Sequence, residues 1–216
     1  MIPLKIYDKN NKTKSKHIFR KIPGWFQQVL TFNMLIDLMP NDDFIFVEVG
    51  SFMGKSVSYF TVESMDRIKK GKIYAIDTFD GSEEHLDPDN ESFIPQLLDN
   101  PDYLYQQYLR FTKPIQEHIN TIRSTSVEAS KQFNDNSIDA LYLDAAHDYD
   151  NVLADINAWY PKMKKEQLLL TGDDWEWPGV RSAVIDFTRD NGLCLLFPEA
   201  NTYIITNFEF IETYNR

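Results

Sequence analysis

Three aspartates and one histidine are the side chains of this sequence best suited to chemistry. Asp144 ends the run ALYLD, His147 follows it in DAAHDYD, and Asp173 with Asp174 ends LLLTGDD. Both runs read as strands followed by helices. If the two strands are parallel in one sheet, their carboxyl ends lie on one edge and the three carboxylates can converge. Carboxylates that meet repel one another, so either their pKa values rise or a hard cation neutralises them. An all-oxygen set favours Mg²⁺, Mn²⁺ or Ca²⁺ over zinc. An imidazole beside them titrates near neutrality and can take a proton. Other readings stand next to these: His147, Asp148 and Asp150 as a polar helix start, and Asp173 or Asp174 as a cap of the following helix.

A second constellation is FVEVGSFMGKS, residues 46–56, a strand that turns through Gly50 and Gly54 into a helix. Glycines are required where the chain turns sharply and a ligand approaches the backbone at a helix start. Lys55 and Ser56 follow Gly54, but GSFM before them is one residue too short for a phosphate loop, and the dinucleotide pattern GxGxxG is absent. The next strand ends in Asp77, and an acid there can take both hydroxyls of a ribose lying across the sheet edge. Glu48 as a helix cap and the glycines as mere turns are the competing structural reading.

The elements that must place these residues follow from the hydropathy pattern. Seven apolar runs read as strands: 44–49, 72–77, 119–123, 138–144, 167–172, 193–197 and 203–206. Most are continuous rather than alternating, as in strands covered on both faces. Helical patterns lie between them at 55–70, 127–133, 149–163 and 180–191. The alternation predicts a Rossmann-like, doubly wound α/β sheet, mostly parallel, with helices on both faces. Only Pro198 to Thr202 separates the last two strands, too short for a parallel crossover, so the last strand is expected to be antiparallel.

Residues 1–43 read as a helical cap, with an amphipathic stretch from Trp25 to Leu38. The long connection 78–118, acidic and then helical with Leu104, Tyr108 and Phe111 on one face, reads as a lid or substrate wall. Together these make one domain over 1–216. Trp175 and Trp177 either wall a pocket or pack under a loop, and His17, His85 and His118 are expected at the surface.

The chain has 216 residues, 43% of them hydrophobic, and a net charge of -11, enough for a core and unsuited to polyanions. Nucleic acid and membrane surfaces are therefore not expected as partners. Met1 to Arg20 lacks the apolar core of a secretory signal, so the protein is expected in the cytoplasm. Cys194 is the single cysteine and is expected to be a buried structural thiol. A homo-oligomer is compatible with this composition.

Taken together, Glu48-x-Gly50-x-x-x-Gly54, Asp77 and the seven-strand order resemble the class I S-adenosylmethionine-dependent methyltransferases over about residues 44–206. The resemblance implies that Glu48, Gly50, Ser51, Phe52, Gly54 and Ser56 face the methionine part of S-adenosylmethionine. It implies that Asp77 and Thr78 hold the ribose and that Ser124, Thr125, Ser126 and Val127 lie beside the adenine. Asp144, with Asp173-Asp174 after the fifth strand, is similar to the metal-ligand set of the metal-dependent O-methyltransferases, of both the catechol and the macrolide-sugar type. In the catechol type a lysine stands where this chain has His147, whereas Asp-x-x-His-x-Tyr, here Asp144, His147 and Tyr149, resembles the sugar-modifying group. The implied function is metal-assisted methylation of a small-molecule hydroxyl, with Asp144 also facing the cofactor and His147 as base. A nicotinamide oxidoreductase, a metal-dependent hydrolase and a non-catalytic interaction domain on the same fold are the alternatives.

Overall fold

In the computed structural model, which describes residues 17–207, strand β1 (Phe44–Val49) is buried at five of its six positions. The reason is the apolar run itself: helices cover both faces. In chain order the elements are α1 (Val29–Leu38), β1, α2 (Lys55–Asp66), β2 (Gly71–Asp77), α3 (Glu83–Leu86), α4 (Gln96–Asp99) and α5 (Tyr103–Thr112). They continue with β3 (Ile119–Arg123), α6 (Ser126–Ser130), β4 (Ala140–Leu143), α7 (Tyr149–Trp159), β5 (Leu170–Gly172), α8 (Pro178–Asp190), β6 (Cys194–Leu196) and β7 (Tyr203–Thr206).

Because side chains alternate along a strand, β1 sends Phe44 and Phe46 to one face and Val47 and Val49 to the other. On the first face they meet Phe32 and Leu35 of α1, Val57 and Phe60 of α2, and Leu104 and Tyr108 of α5. On the second they meet Ala129 of α6, Ile156 and Trp159 of α7, and Val180 and Val184 of α8. The sheet order is β3-β2-β1-β4-β5-β7-β6, and β7 alone runs against the other six strands. The doubly wound sheet with a reversed last strand expected from the sequence is therefore present. After β3 the chain crosses to the far side of β1 to form β4, so the ends of β1 and β4 are the switch point at which such sheets bind ligands.

Three expectations are corrected. The runs 138–144 and 167–172 form shorter strands because their first backbone groups pair elsewhere: Ile138 N donates to Lys162 O at 2.9 Å and Leu168 N to Asn207 Oδ1 at 3.1 Å. Cys194 is only half-buried, since β6 is an edge strand. His17 is not a surface residue; it pairs with Glu63 at 2.9 Å and stacks on Tyr59. His118 lies beside Glu117 with 39% of its side chain exposed. Of the expected N-terminal cap, α1 lies within the described residues, and its Leu35 and Ile36 are fully buried while Trp25 is 70% exposed. The first 16 residues of that cap lie outside the described part. Among the described residues no helix is long and apolar enough to cross a membrane.

The turn after β1 leaves no room for a side chain. Gly50 has φ +91°, and a Cβ there would stand 1.7 Å from the Asp144 carbonyl oxygen. Gly192 also has positive φ, but a Cβ there meets nothing within 4 Å. Gly50→Ala is expected to lower stability by at least about 2 kcal/mol, through strain and backbone overlap. Gly192→Ala is expected to cost about 1 kcal/mol, through backbone conformation alone. Denaturant unfolding of the two variants checks this, and equal losses would show that the contact with Asp144 is not a tight one.

Candidate functional site

The loop from β1 to α2 is held by hydrogen bonds that spend its backbone on the sheet. Gly50 N donates to Ile76 O at 2.8 Å, and Gly54 N to Ser51 O at 2.7 Å. Phe52 has φ +46°, and its N–H donates to Asp77 Oδ2 at 2.7 Å. The other Asp77 oxygen accepts from Phe79 N at 2.7 Å. Asp77 thus ties the loop to the end of β2, and each oxygen keeps lone-pair capacity for a further donor. Burial raises its pKa above the usual carboxylate value. Ser124 N donates to Asp77 O at 3.0 Å, so the segment after β3 sits against the same residue. In that segment Ser126 Oγ accepts from Trp159 Nε1 at 2.9 Å, Thr125 precedes the first turn of α6, and Val127 is 38% exposed.

Glu48 lies wholly inside, on the α2 side of β1. Its Oε1 accepts from Ser56 Oγ at 3.0 Å, and its Oε2 is buried without a hydrogen-bond partner among the described residues. Burial drives its pKa up to about 8, against the smaller stabilising effect of the neighbouring serines. Gly54 is the N-cap residue of α2, and the Glu48 carboxyl faces Ser56 and the Val57 backbone in the first turn of that helix.

On the other side of the switch point the ladder continues one residue past each strand: Asp144 N donates to Val49 O at 2.9 Å and Asp173 N to Leu143 O at 3.0 Å. This brings Asp144, Asp173 and Asp174 to one edge, as expected. Burial, with Asp173 and Asp174 alongside, holds the Asp144 pKa well above the carboxylate range. Burial pushes Asp173 up to about 6. Asp174, at φ +61°, is instead held low, because His147 Nε2 stands 3.0 Å from its Oδ2 and offsets its burial. Asn201 Nδ2 reaches Asp174 Oδ1 at 3.4 Å. Neither aspartate caps α8, whose N-cap is Trp177. Asp173 Oδ2 accepts from Gln28 Nε2 at 2.5 Å, while its Oδ1 and the Tyr142 hydroxyl are buried without a partner among the described residues. The donor set suits a hard cation, but as placed no three His, Cys, Asp or Glu side chains among the described residues gather closely enough to hold one. That is tighter convergence than the strand order alone delivers.

His147 lies between two carboxylates. Its Nε2 faces Asp174 and its Nδ1 is 3.9 Å from Glu84 Oε1, and the hydrogen bond to Asp174 raises its pKa. Its ring stacks on Trp177 at 4.7 Å. Trp177 is therefore at the site, whereas Trp175 packs on Phe197 and Tyr203. Asp148 is the N-cap of α7, accepting from Asn151 N at 3.1 Å. His85, expected at the surface, instead stacks on Phe52 at 5.0 Å and bonds Ser82. Helix α3 thus stretches from the β1–α2 loop, through His85, to His147, through Glu84. Gln28, Glu84 and Asn201 belong to no motif, and nothing in their sequence context signals their place here.

Glu48 is protonated in the folded protein at a pH where the unfolded chain has released that proton. Raising pH from about 4.5 to about 8 therefore favours unfolding through this group. Glu48→Gln is expected to remove that slope, so thermal midpoints measured at acid and mildly alkaline pH should show the variant gaining on the wild type as pH rises. A constant offset across the range would show that Glu48 is ionised in the fold.

Residues 47–175, more than half of the chain, match the family described as a methyltransferase domain. An uncharacterized protein of Sinorhizobium fredii (strain NBRC 101917 / NGR234) is 27% identical over 163 residues, which cover 70% of this chain. This chain spans only 17% of that relative's length. A Streptococcus mutans structure in complex with SAH (S-adenosylhomocysteine) superimposes with TM-score 0.57 at 11% identity, covering 86% of this chain and 100% of that one. The TDP-rhamnose 3'-O-methyltransferase of calicheamicin biosynthesis superimposes with TM-score 0.54 at 15% identity, covering 82% of this chain and 78% of that one. At these identities the superpositions establish the shared fold. The family match spans the β1–α2 loop, Asp77 and the acidic edge, and the chain belongs to the methyltransferase-domain family.

Proposed function

We propose that this protein methylates a hydroxyl group of a small molecule and that a divalent cation, Mg²⁺ or a similar hard ion, assists it at Asp144, Asp173 and Asp174. The observation that carries this reading is the contact between the two halves of the site: Gly50 of the cofactor loop lies against the backbone of Asp144. An acceptor beside the acidic edge is thereby beside the methyl donor. Bound S-adenosylmethionine supplies an electrophilic methyl carbon, and a cation at the carboxylates would supply positive charge that lowers the pKa of an acceptor hydroxyl.

The residues divide the remaining work. Glu48, Ser51, Phe52 and Ser56 shape the methionine end of the cofactor site, Asp77 with Thr78 orients the ribose, and Ser124 to Val127 border the adenine. With Nε2–H donated to Asp174, the Nδ1 of His147 is the nitrogen left to take the acceptor proton. Trp177, stacked on His147 and 44% exposed, offers an apolar face to the acceptor. Helix α3, spanning Phe52 to His147, serves as a lid, while Leu104 and Tyr108 of α5 are buried core. The notable acidity of the chain favours a neutral or cationic small acceptor in the cytoplasm over a polyanion. A sugar hydroxyl is preferred over a catechol, since histidine replaces the catechol-type lysine and a sugar-modifying enzyme shares the fold.

Calorimetry should show S-adenosylhomocysteine binding and no heat for NAD; the reverse would return the chain to the oxidoreductase reading. Asp77→Ala should weaken that binding by about tenfold or more, through loss of the ribose acceptor and of the loop tether. With a labelled methyl donor and a panel of hydroxylated small molecules, His147→Ala is expected to lower kcat by about 10²- to 10⁴-fold and leave S-adenosylhomocysteine affinity unchanged. Full turnover after chelation of divalent cations would remove the cation from the mechanism and leave the methyltransferase reading in place.

A further inference from the structure

The imidazole of His85 spends one nitrogen on the fold and keeps the other. Its Nδ1 accepts from Ser82 N at 3.0 Å, and the Ser82 hydroxyl stands 2.8 Å from the same nitrogen. A backbone N–H can only donate, so Nδ1 is an acceptor and the neutral ring carries its proton on Nε2. Burial lowers the pKa of the ring, against the opposing pull of Glu84 and Asp77, which favours that neutral form. Nε2 is itself buried and has no hydrogen-bond partner among the described residues. A buried N–H without an acceptor leaves its desolvation uncompensated, and a ligand oxygen at that atom restores the balance. The ring is also fixed in place. It stacks on Phe52 at 5.0 Å, and Phe52 N donates to Asp77 Oδ2 at 2.7 Å. Asp77 and His85 are close enough for each to shift the pKa of the other. Gly81, at φ +82°, turns the chain after β2 so that a Cβ there would stand 3.3 Å from His85 Cβ, and Ile94 N donates to His85 O at 2.9 Å.

We infer that His85 is a ligand-binding residue whose Nε2–H donates to a ribose hydroxyl of the bound cofactor, the same hydroxyl that gives its own proton to Asp77. This inference rests on the reading of Asp77 as the acid that orients a ribose. A hydroxyl is donor and acceptor at once, so a carboxyl oxygen on one side and an N–H on the other satisfy it fully. A nucleoside lacking that oxygen leaves Nε2–H buried and unpaired, and a site built this way rejects such analogues. Helix α3 then recognises a particular oxygen of the nucleoside, beyond covering the loop by packing on Phe52.

The test is a calorimetric titration of the full chain with S-adenosylhomocysteine and with its 2′-deoxy and 3′-deoxy analogues. His85→Asn keeps an acceptor near the Nδ1 position and removes Nε2–H, whereas His85→Phe keeps an aromatic face for Phe52. Both variants are expected to bind S-adenosylhomocysteine about tenfold more weakly than the wild type, with little or no loss toward the analogue that lacks the shared hydroxyl. His85→Gln, whose amide N–H reaches toward the Nε2 position, should recover part of the loss. Proton–nitrogen NMR of the wild type should show the Nε2–H tautomer of His85 and a shift of that proton when S-adenosylhomocysteine binds. Equal losses on the parent compound and both analogues would show that the ring only packs on Phe52, and unchanged affinity in both variants would show no contact. Either result overturns the inference while the cofactor reading stands. No binding of S-adenosylhomocysteine by the wild type overturns the cofactor reading and the inference with it.

Discussion

The approach of Gly50 to the backbone of Asp144 is the constraint on which the rest of the site depends. A Cβ would stand 1.7 Å from a carbonyl oxygen, so only glycine lets the loop after β1 settle against the end of β4. Two chain segments almost a hundred residues apart then share one surface. The contact exists because the strand order places β4 beside β1, and that order places the β1–α2 loop and the acidic edge on either side of one switch point. Asp77 completes the arrangement from β2 by holding Phe52, in a left-handed conformation, against the sheet.

Burial is the leading influence on the electrostatics of this edge. Glu48, Asp77, Asp144 and Asp173 are all shifted toward the protonated form, with burial as the leading cause in each. Their hydrogen-bond partners are neutral donors: a serine hydroxyl for Glu48, backbone N–H groups for Asp77 and an amide for Asp173. Asp174 alone is held low, by His147. Such an edge folds with protons and dipoles in place of counter-charges.

Much of this was legible in the sequence because it depends on local pattern. Continuous apolar runs gave strands covered on both faces, and the short 198–202 connection gave the reversed last strand. The positions of Glu48, Gly50, Asp77 and Asp144 at strand ends followed from the same runs. Misreadings arose where long-range packing decides. His17 and His85 lack a visible partner in sequence, yet one meets Glu63 and Tyr59 and the other Phe52. Within the connection 78–118, read as a lid or substrate wall, the sequence does not show that α3 lies against Phe52 and His147 while α5 is buried with Tyr108 and Thr112 against Gly54.

The sequence by itself determined which elements form, in what order, and which acids stand at the carboxyl ends of the strands, because hydropathy period and crossover length are properties of neighbouring residues. Only the tertiary structure decided what each acid does with its two oxygens. Asp77 gives both to the loop and the turn that follow, Asp173 gives one to Gln28, and Asp174 meets His147 and Asn201. Those choices rest on hydrogen bonds between groups far apart in the chain, whose geometry depends on how α1 and the β6–β7 connection pack. Local pattern carries no record of such packing.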